Sequence, residues 1–289
     1  MILCPDCRGE LGSLDAEGCA ACGWTGSRLN GVPVLLSSHD RKSELFSRYL
    51  ANYDEIASDD LTSGIQEARM QQFFNERLLS YLGNIRGRHV CDIGIGKGIL
   101  FEMLSRSGPA SLVGVDISMP YLERFANNLD STLVLANAEN LPFRDAFDLV
   151  VAADVLEHVL NVGDFLMSVR ESLVAHGSFV VRVPYLDNML QYARLNGCRY
   201  DMMHLRNFAR GNLEHLLRHT GFVVERLRYD GFNKWRARRY IARSELGMLM
   251  LEAFSERLLG GHDRLERLNP YVGRLLMEPL AVTAIARRA

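Results

Sequence analysis

The sequence predicts an α/β protein built on a doubly wound, mostly parallel seven-stranded sheet, with a small cysteine-rich segment in front of it. Three observations carry this. Strand-like and helix-like apolar patterns alternate from His89 onward, the texture of a parallel sheet covered by helices on both faces. The first of those strands runs directly into a glycine-rich turn, Asp92-Ile93-Gly94-Ile95-Gly96-Lys97-Gly98. Four of the six cysteines fall within the first 22 residues.

Composition narrows the function classes. Of 289 residues, 48% are apolar and 24% charged, the balance of an ordinary globular protein. The formal net charge of −2 excludes a global basic field that would draw nucleic acid, though not a local patch. No apolar run approaches the roughly 18 residues that span a bilayer. Met1-Ile2-Leu3-Cys4-Pro5 lacks the basic start and apolar core of a secretory signal, so the expectation is a cytoplasmic protein.

Residues 1–37 form the first expected unit. They are rich in Cys and Gly, close on Gly31-Val32-Pro33-Val34-Leu35-Leu36, and are too short to fold without a staple. Residues 38–289 form the second. A helical lead-in over 43–83 shows Leu45, Phe46, Tyr49, Leu50 and Tyr53 at helical spacing, then Phe73, Phe74, Leu78, Leu79 and Leu82. Strands are expected at 89–93, 112–115, 133–136, 147–152, 178–183, 222–227 and 280–286, with helices at 98–107, 120–129, 162–174 and 210–220. An insertion over 230–278, with a helix around 244–259, precedes the last strand.

The glycine turn is where a ligand is expected. Glycines let a ligand approach the backbone, and the helix start beyond them offers free N–H groups and a positive dipole end. A dinucleotide loop would read Gly-x-Gly-x-x-Gly; here the spacing is Gly-x-Gly-x-Gly. A phosphate-binding loop would need Gly-Lys-Ser/Thr, which Gly98 breaks. The second strand ends in Asp116-Ile117, where an acid can accept both hydroxyls of a ribose. The third ends in Asn137-Ala138-Glu139-Asn140, and the fourth is followed by Asp154-Val155-Leu156-Glu157-His158-Val159.

These four blocks, in this order, resemble the class I S-adenosylmethionine-dependent methyltransferases over roughly residues 85–230 and the last strand. The resemblance implies S-adenosylmethionine as cofactor. Asp92, Gly94, Gly96 and Gly98 would cradle its methionine part and ribose, Asp116 with Ile117 its ribose hydroxyls, and Ala138 its adenine through the backbone. At the position of Asn137 the family usually carries Asp, which touches the adenine amino group; the amide oxygen of Asn can accept the same bond.

Methyl transfer from a sulfonium is an in-line displacement that depends on alignment, and a hydroxyl acceptor also needs a base. His158, after the fourth strand, and His204, in the connection beyond the fifth, have the right intrinsic chemistry. A histidine in such a position is more often structural, packing or capping the neighbouring turn. Asp154 is a candidate contact to the cofactor amine or the acceptor, Tyr185 a candidate pocket wall, and Glu157 reads as a solvated or helix-end charge. His204-Leu205-Arg206-x-Phe208 with Thr220-Gly221-Phe222 resembles methyltransferases of sugars, lipids or small metabolites.

Cys4-x-x-Cys7 and Cys19-x-x-Cys22 suit a closed tetrahedral zinc site better than disulfides in a reducing compartment. The segment resembles the zinc ribbon of small methyltransferase-activator proteins, whose tail is similar to Gly31–Leu36. A second precedent is a group of ribosomal RNA guanine methyltransferases with an N-terminal zinc ribbon, but their motifs lack Leu156-Glu157-His158-Val159. The ribbon would either buttress the catalytic domain or contact substrate.

Lys234-Trp235-Arg236-Ala237-Arg238-Arg239 combines cations with an aromatic, which fits RNA phosphates and bases, an anionic small acceptor, or simply a solvated face. Leu246, Leu249, Met250, Phe254 and Leu258 share a helical face, as in a core or a homodimer seam. The leading expectation is methyl transfer to a small-molecule or glycan- or lipid-like acceptor, at oxygen. The alternatives are a ribosomal or transfer RNA base methyltransferase that grips phosphates with the ribbon and residues 234–239, and a cofactor-binding adaptor without turnover.

Overall fold

The computed structural model describes residues 1–63, 68–125, 132–186, 189–192, 196–230 and 280–289. The insertion, with its basic stretch and late helix, lies outside these residues. The chain opens with two short hairpins, β1 (Ile2–Leu3) with β2 (Glu10–Leu11) and β3 (Ser27–Leu29) with β4 (Val32–Val34). Helices α1 (Ser38–Lys42), α2 (Glu44–Ser63) and α3 (Ala68–Leu82) follow. Alternation then begins: β5 (His89–Ile93), α4 (Ile99–Arg106), β6 (Ser111–Asp116), α5 (Met119–Glu123), β7 (Thr132–Leu135), β8 (Phe147–Ala153), α6 (Val162–Ser172), β9 (Leu173–Pro184), α7 (Arg210–His219), β10 (Phe222–Asp230) and β11 (Ala281–Arg288).

The sheet order is β10-β11-β9-β8-β5-β6-β7-β4-β3. Strands β5 to β9 pair in parallel, and β11 enters antiparallel between β9 and β10. These seven are the seven expected strands. Central strands covered on both faces should read as continuous apolar runs. Leu149, Val150, Val151 and Ala152 do so, none more than 1% exposed. One face packs on α6 and α7 through Phe165, Leu166, Val169, Leu213 and Leu217; the other packs on the lead-in helices and α4 through Phe46, Tyr49, Leu78, Phe101 and Leu104.

Two differences from the expected layout have clear causes. Among the described residues the sheet has nine strands, because β4 continues it beyond β7 through Val34↔Leu135 and the bond from Leu35 N to Leu135 O (2.9 Å). An open edge on a parallel sheet is costly to leave bare, and the apolar tail of the cysteine segment covers this one. The expected helix over 162–174 stops at Ser172, because Leu173 already pairs with Phe147 and starts β9 five residues early.

Candidate functional site

Strands β5, β6, β7 and β8 all end at one edge of the sheet, in register from Asp92↔Gly114 and Ile93↔Val115 to Asp116↔Leu135. That is the edge at which ligands bind in open α/β sheets. A cavity opens there, lined by Gly94, Gly96, Gly98, Asp116, Ile117, Asn137, Ala138, Asp154, His158 and His204. Every expected cofactor-contacting residue except Asp92 is on its wall. Asp92 lies behind the glycine turn, 1% exposed.

The glycine turn is built by sterics. Gly94 (φ 72°) and Gly98 (φ 78°) are both left-handed. A methyl group on Gly94 would meet Val155 at 2.4 Å, and one on Gly98 would meet the Phe125 ring at 2.0 Å. Gly96 is also left-handed, and its Cβ direction is open. The chain thus turns tightly between packed neighbours while its middle faces free space. Asp116 steadies the turn by accepting from Gly96 N (3.1 Å) and Ser118 N (2.9 Å).

Burial sets the acids. It raises Asp92 to about 8, with the Asp116 charge adding and Arg182 opposing. It raises Asp116 to about 6, against the lowering effect of its bonds to Ser118 and Gly96. Asp92 Oδ2 is buried without a hydrogen-bond partner among the described residues. Burial without a partner keeps this carboxyl protonated at neutral pH, and a cationic, hydrogen-bond-donating group in front of the turn would favour its ionised form. The residues present therefore fit the aminoacyl sulfonium end of S-adenosylmethionine.

Asn137 caps the short 3₁₀ turn Ala138–Asn140: its Oδ1 accepts from Glu139 N (3.0 Å), while Nδ2 donates to Asp40 Oδ1 (3.1 Å). An amide oxygen has a second lone pair, so Asn137 can still accept from an adenine amino group. Asp154, at left-handed φ 57°, is held by Arg182, with Nη2 at 2.5 Å from Oδ2.

The two histidines meet. Their rings lie 4.7 Å apart, edge to face, and Tyr53 and Tyr192 pack on them. His158 Nδ1 lies 2.7 Å from Met203 O, a geometry that fixes the ring with Nδ1–H donating. Burial, reinforced by the nearby His204, pushes His158 down to about 4, so it is neutral at pH 7. Glu157 corrects the reading of a solvated charge: it is 1% exposed, with Oε1 3.7 Å from His158 Nε2. Tyr185 packs against Tyr229 at 5.0 Å and is not among the cavity-lining residues.

Sequence reasoning passed over several wall residues. Tyr49, Tyr53, Ile56 and Asp60 line the cavity from one face of α2, and Asp60 pairs with Lys97 of the glycine turn at 2.8 Å. Tyr49 and Tyr53 were visible as part of a helical stripe that carried no ligand signal, and Ile56 and Asp60 lie beyond its last named residue. Arg182, 5% exposed in a strand of valines, carried no signal at all.

The four ribbon thiols converge separately, all within 4.8 Å of one another. Cys4 Sγ lies 3.6 Å from Cys22 Sγ, and Cys7 Sγ 3.6 Å from Cys19 Sγ. Four sulfurs at about 2.3 Å from a tetrahedral zinc would be about 3.8 Å apart, whereas a disulfide needs about 2.05 Å. The donor set fits a closed zinc site.

Comparison with known proteins agrees with this geometry. Residues 91–181 match the family model described as a methyltransferase domain. A ubiquinone biosynthesis O-methyltransferase of Bradyrhizobium diazoefficiens is 37% identical over 123 residues, covering 40% of this chain and 47% of that protein. A tRNA U34 carboxymethyltransferase of Colwellia psychrerythraea is 29% identical over 134 residues, covering 44% and 42%. The chain spans about half the length of the curated relatives it matches. An S-adenosylmethionine-dependent methyltransferase from Archaeoglobus fulgidus superposes with a TM-score of 0.54 at 19% identity, over 81% of this chain and 99% of the other. Residues 91–181 are a methyltransferase domain, and the fold that carries them is the class I, Rossmann-like methyltransferase fold.

Proposed function

We propose that the protein transfers a methyl group from S-adenosylmethionine to a hydroxyl of a small-molecule acceptor. The observation that carries this reading is one cavity shared by the glycine turn, Asp116, Ala138 and the paired histidines. The cofactor supplies an electrophilic methyl group on a sulfonium. Gly94 to Gly98 receive its aminoacyl end, Asp116 accepts from the ribose hydroxyls, and Asn137 with Ala138 meets adenine.

On the acceptor side His204 takes the hydroxyl proton as the new C–O bond forms and the C–S bond breaks. A base works best with its pKa near the working pH. His158, held at about 4 by burial, is a weak proton sink and serves instead to orient His204 edge-on. Oxygen as the methylated atom is supported by the relatives named for O-methylation in ubiquinone biosynthesis. The four cysteines hold a structural zinc ion.

The test is transfer of labelled methyl to a panel of phenols, glycans and lipid headgroups. His204→Ala is expected to lower turnover by about 10²- to 10⁴-fold while the Kd for S-adenosylhomocysteine stays within twofold. Unchanged turnover removes His204 as base, and no transfer to any acceptor removes the enzyme reading in favour of an adaptor.

A second reading, methylation of an RNA base, is favoured by the tRNA-modifying relative. Binding through several cations weakens steeply as salt rises. A transfer-RNA affinity that falls at least tenfold between 50 and 200 mM salt, with methyl incorporated into the RNA, would replace the small-acceptor reading.

A further inference from the structure

The ribbon and the adenine side of the cavity are joined by hydrogen bonds at both ends of the turn after β7. Cys4 to Gly9 form a knuckle closed by Cys4 N to Gly9 O (2.7 Å) and Arg8 N to Cys4 O (3.0 Å), with Arg8 held at left-handed φ 61°. That conformation directs Arg8 at the turn after β7. Its Nη1 donates to Asn140 Oδ1 (2.8 Å) and to Leu141 O (2.8 Å). Asn140 answers, with Nδ2 donating to Pro5 O inside the knuckle (2.8 Å). Glu171 anchors the far side of Arg8 at 2.5 Å.

The same knuckle reaches the other end of the turn by a separate path. Asp6 Oδ1 accepts from Ser38 N (2.6 Å) at the start of α1. Asp40 of that helix completes a capping box with Ser37 and accepts from Asn137 Nδ2. Asn137 and Asn140 bracket Ala138, and Asn140 N closes the turn onto Asn137 O (2.9 Å). Both ends of the turn that lines the cavity are therefore held by residues between the first two cysteines and those immediately following.

From this arrangement we propose that Arg8 and Asn140 are positioning residues for the purine of the cofactor, and that the metal-held knuckle sets the affinity of the site for adenosine compounds. The inference rests on the cofactor reading above. Cys4 and Cys7, as ligands of a metal, would fix the loop Pro5–Asp6 that supplies the carbonyl and carboxylate contacts. Supporting partners of this kind fix the orientation of the groups that touch the ligand.

Isothermal titration of the full zinc-loaded chain with S-adenosylhomocysteine and with methylthioadenosine tests it. Arg8→Ala and Asn140→Ala are each expected to weaken both ligands by a similar factor, about tenfold, because both ligands carry the purine and only one carries the amino acid. Zinc content should stay at one equivalent per chain. Arg28→Ala serves as the ribbon control: its partners Asp15 and Gly31 lie away from the turn, and it should bind like wild type.

A spectroscopic signature separates positioning from mere loosening. With cobalt(II) in the four-cysteine site, S-adenosylhomocysteine should shift the thiolate charge-transfer bands of wild type and not those of Asn140→Ala. Should Asn140→Ala not fold, Arg8→Ala, whose side chain is 26% exposed, carries the same comparison. Affinities within twofold of wild type in both variants, or cobalt bands that ignore the ligand in wild type, overturn the inference. A wild-type protein that binds neither ligand overturns the cofactor reading instead.

Discussion

Asp92 is a carboxyl whose chemistry is set by where the fold puts it. Its position at the end of β5 follows from the strand pattern and was legible; its complete burial behind the turn was not, since burial depends on β6 and β8 closing around it. A carboxyl raised to about 8 holds a proton in the native state that the unfolded chain loses near 3.8. Its contribution to stability is thus full below about pH 4 and is lost as pH rises to about 8. His158 has the opposite sign: depressed to about 4, it contributes above pH 6.5 and loses that contribution as pH falls towards 4. Between pH 6.5 and 8.5 Asp92 dominates this pair. The ligand-free protein should lose thermal stability across that window, and Asp92→Asn should flatten the loss, as scanning fluorimetry at constant ionic strength would read. A wild-type Tm that holds or rises from pH 6.5 to 8.5 would contradict the assignment. Glu157 and Arg182 escaped sequence reading for the same reason. A charged letter in a sequence predicts solvent by default, and only the assembled sheet shows that both are enclosed.

Helix α2 is the element whose role changed most between sequence and structure. Its apolar stripe predicted a helix, and the helix is there. Phe46 of that stripe packs in the core. Tyr49, Tyr53, Ile56 and Asp60 also line the cavity, the last two beyond the visible pattern because the helix runs on to Ser63. Its other side is tied to the segment before α7. Asn52 exchanges bonds with Asp201 N, Met202 N and Met202 O, and Tyr200 donates to Asp59 at 2.7 Å. The Asp60–Lys97 pair, with side chains 10% and 13% exposed, joins this assembly to the glycine turn, and Tyr121 donates to the same carboxylate at 3.1 Å. Removing one partner of an enclosed pair leaves the other charge poorly solvated. Asp60→Asn should therefore loosen α2 over the site and speed release of S-adenosylhomocysteine by about tenfold, equivalent to ~1.4 kcal/mol. Stopped-flow displacement measures this directly, and an unchanged off-rate would show that the pair does not hold the helix down.

At the scale of the whole molecule, the cysteine segment and the methyltransferase fold behave as one structure. The sequence announced a boundary near Ser37, since composition and cysteine spacing change there. It carried no trace of the joining of β4 to β7, which is a contact between residues about a hundred positions apart. That joining places Cys4, Leu11, Trp24 and Leu35 in the same buried cluster as Val134, Phe143 and Phe147. Segments this short do not fold unaided, and structural zinc binding is itself folding free energy, on the order of 10–16 kcal/mol in small zinc peptides. With the proposed zinc in the four-cysteine site, withdrawing it should uncover the edge of β7 and part of the shared core, not merely release a tethered appendage. The expected result is a fall of at least 5 °C in the unfolding midpoint on chelation. In a Trp235→Phe background, Trp24 emission and helical circular dichroism should still move together through one transition. Trp24 is 3% exposed, with Nε1 bonded to Leu36 O at 3.0 Å, so it reports loss of the ribbon core from inside. Were Trp24 emission to shift on chelation while the helical transition kept its midpoint, the ribbon would be an independent module and β3 and β4 would contribute nothing to the stability of the other seven strands.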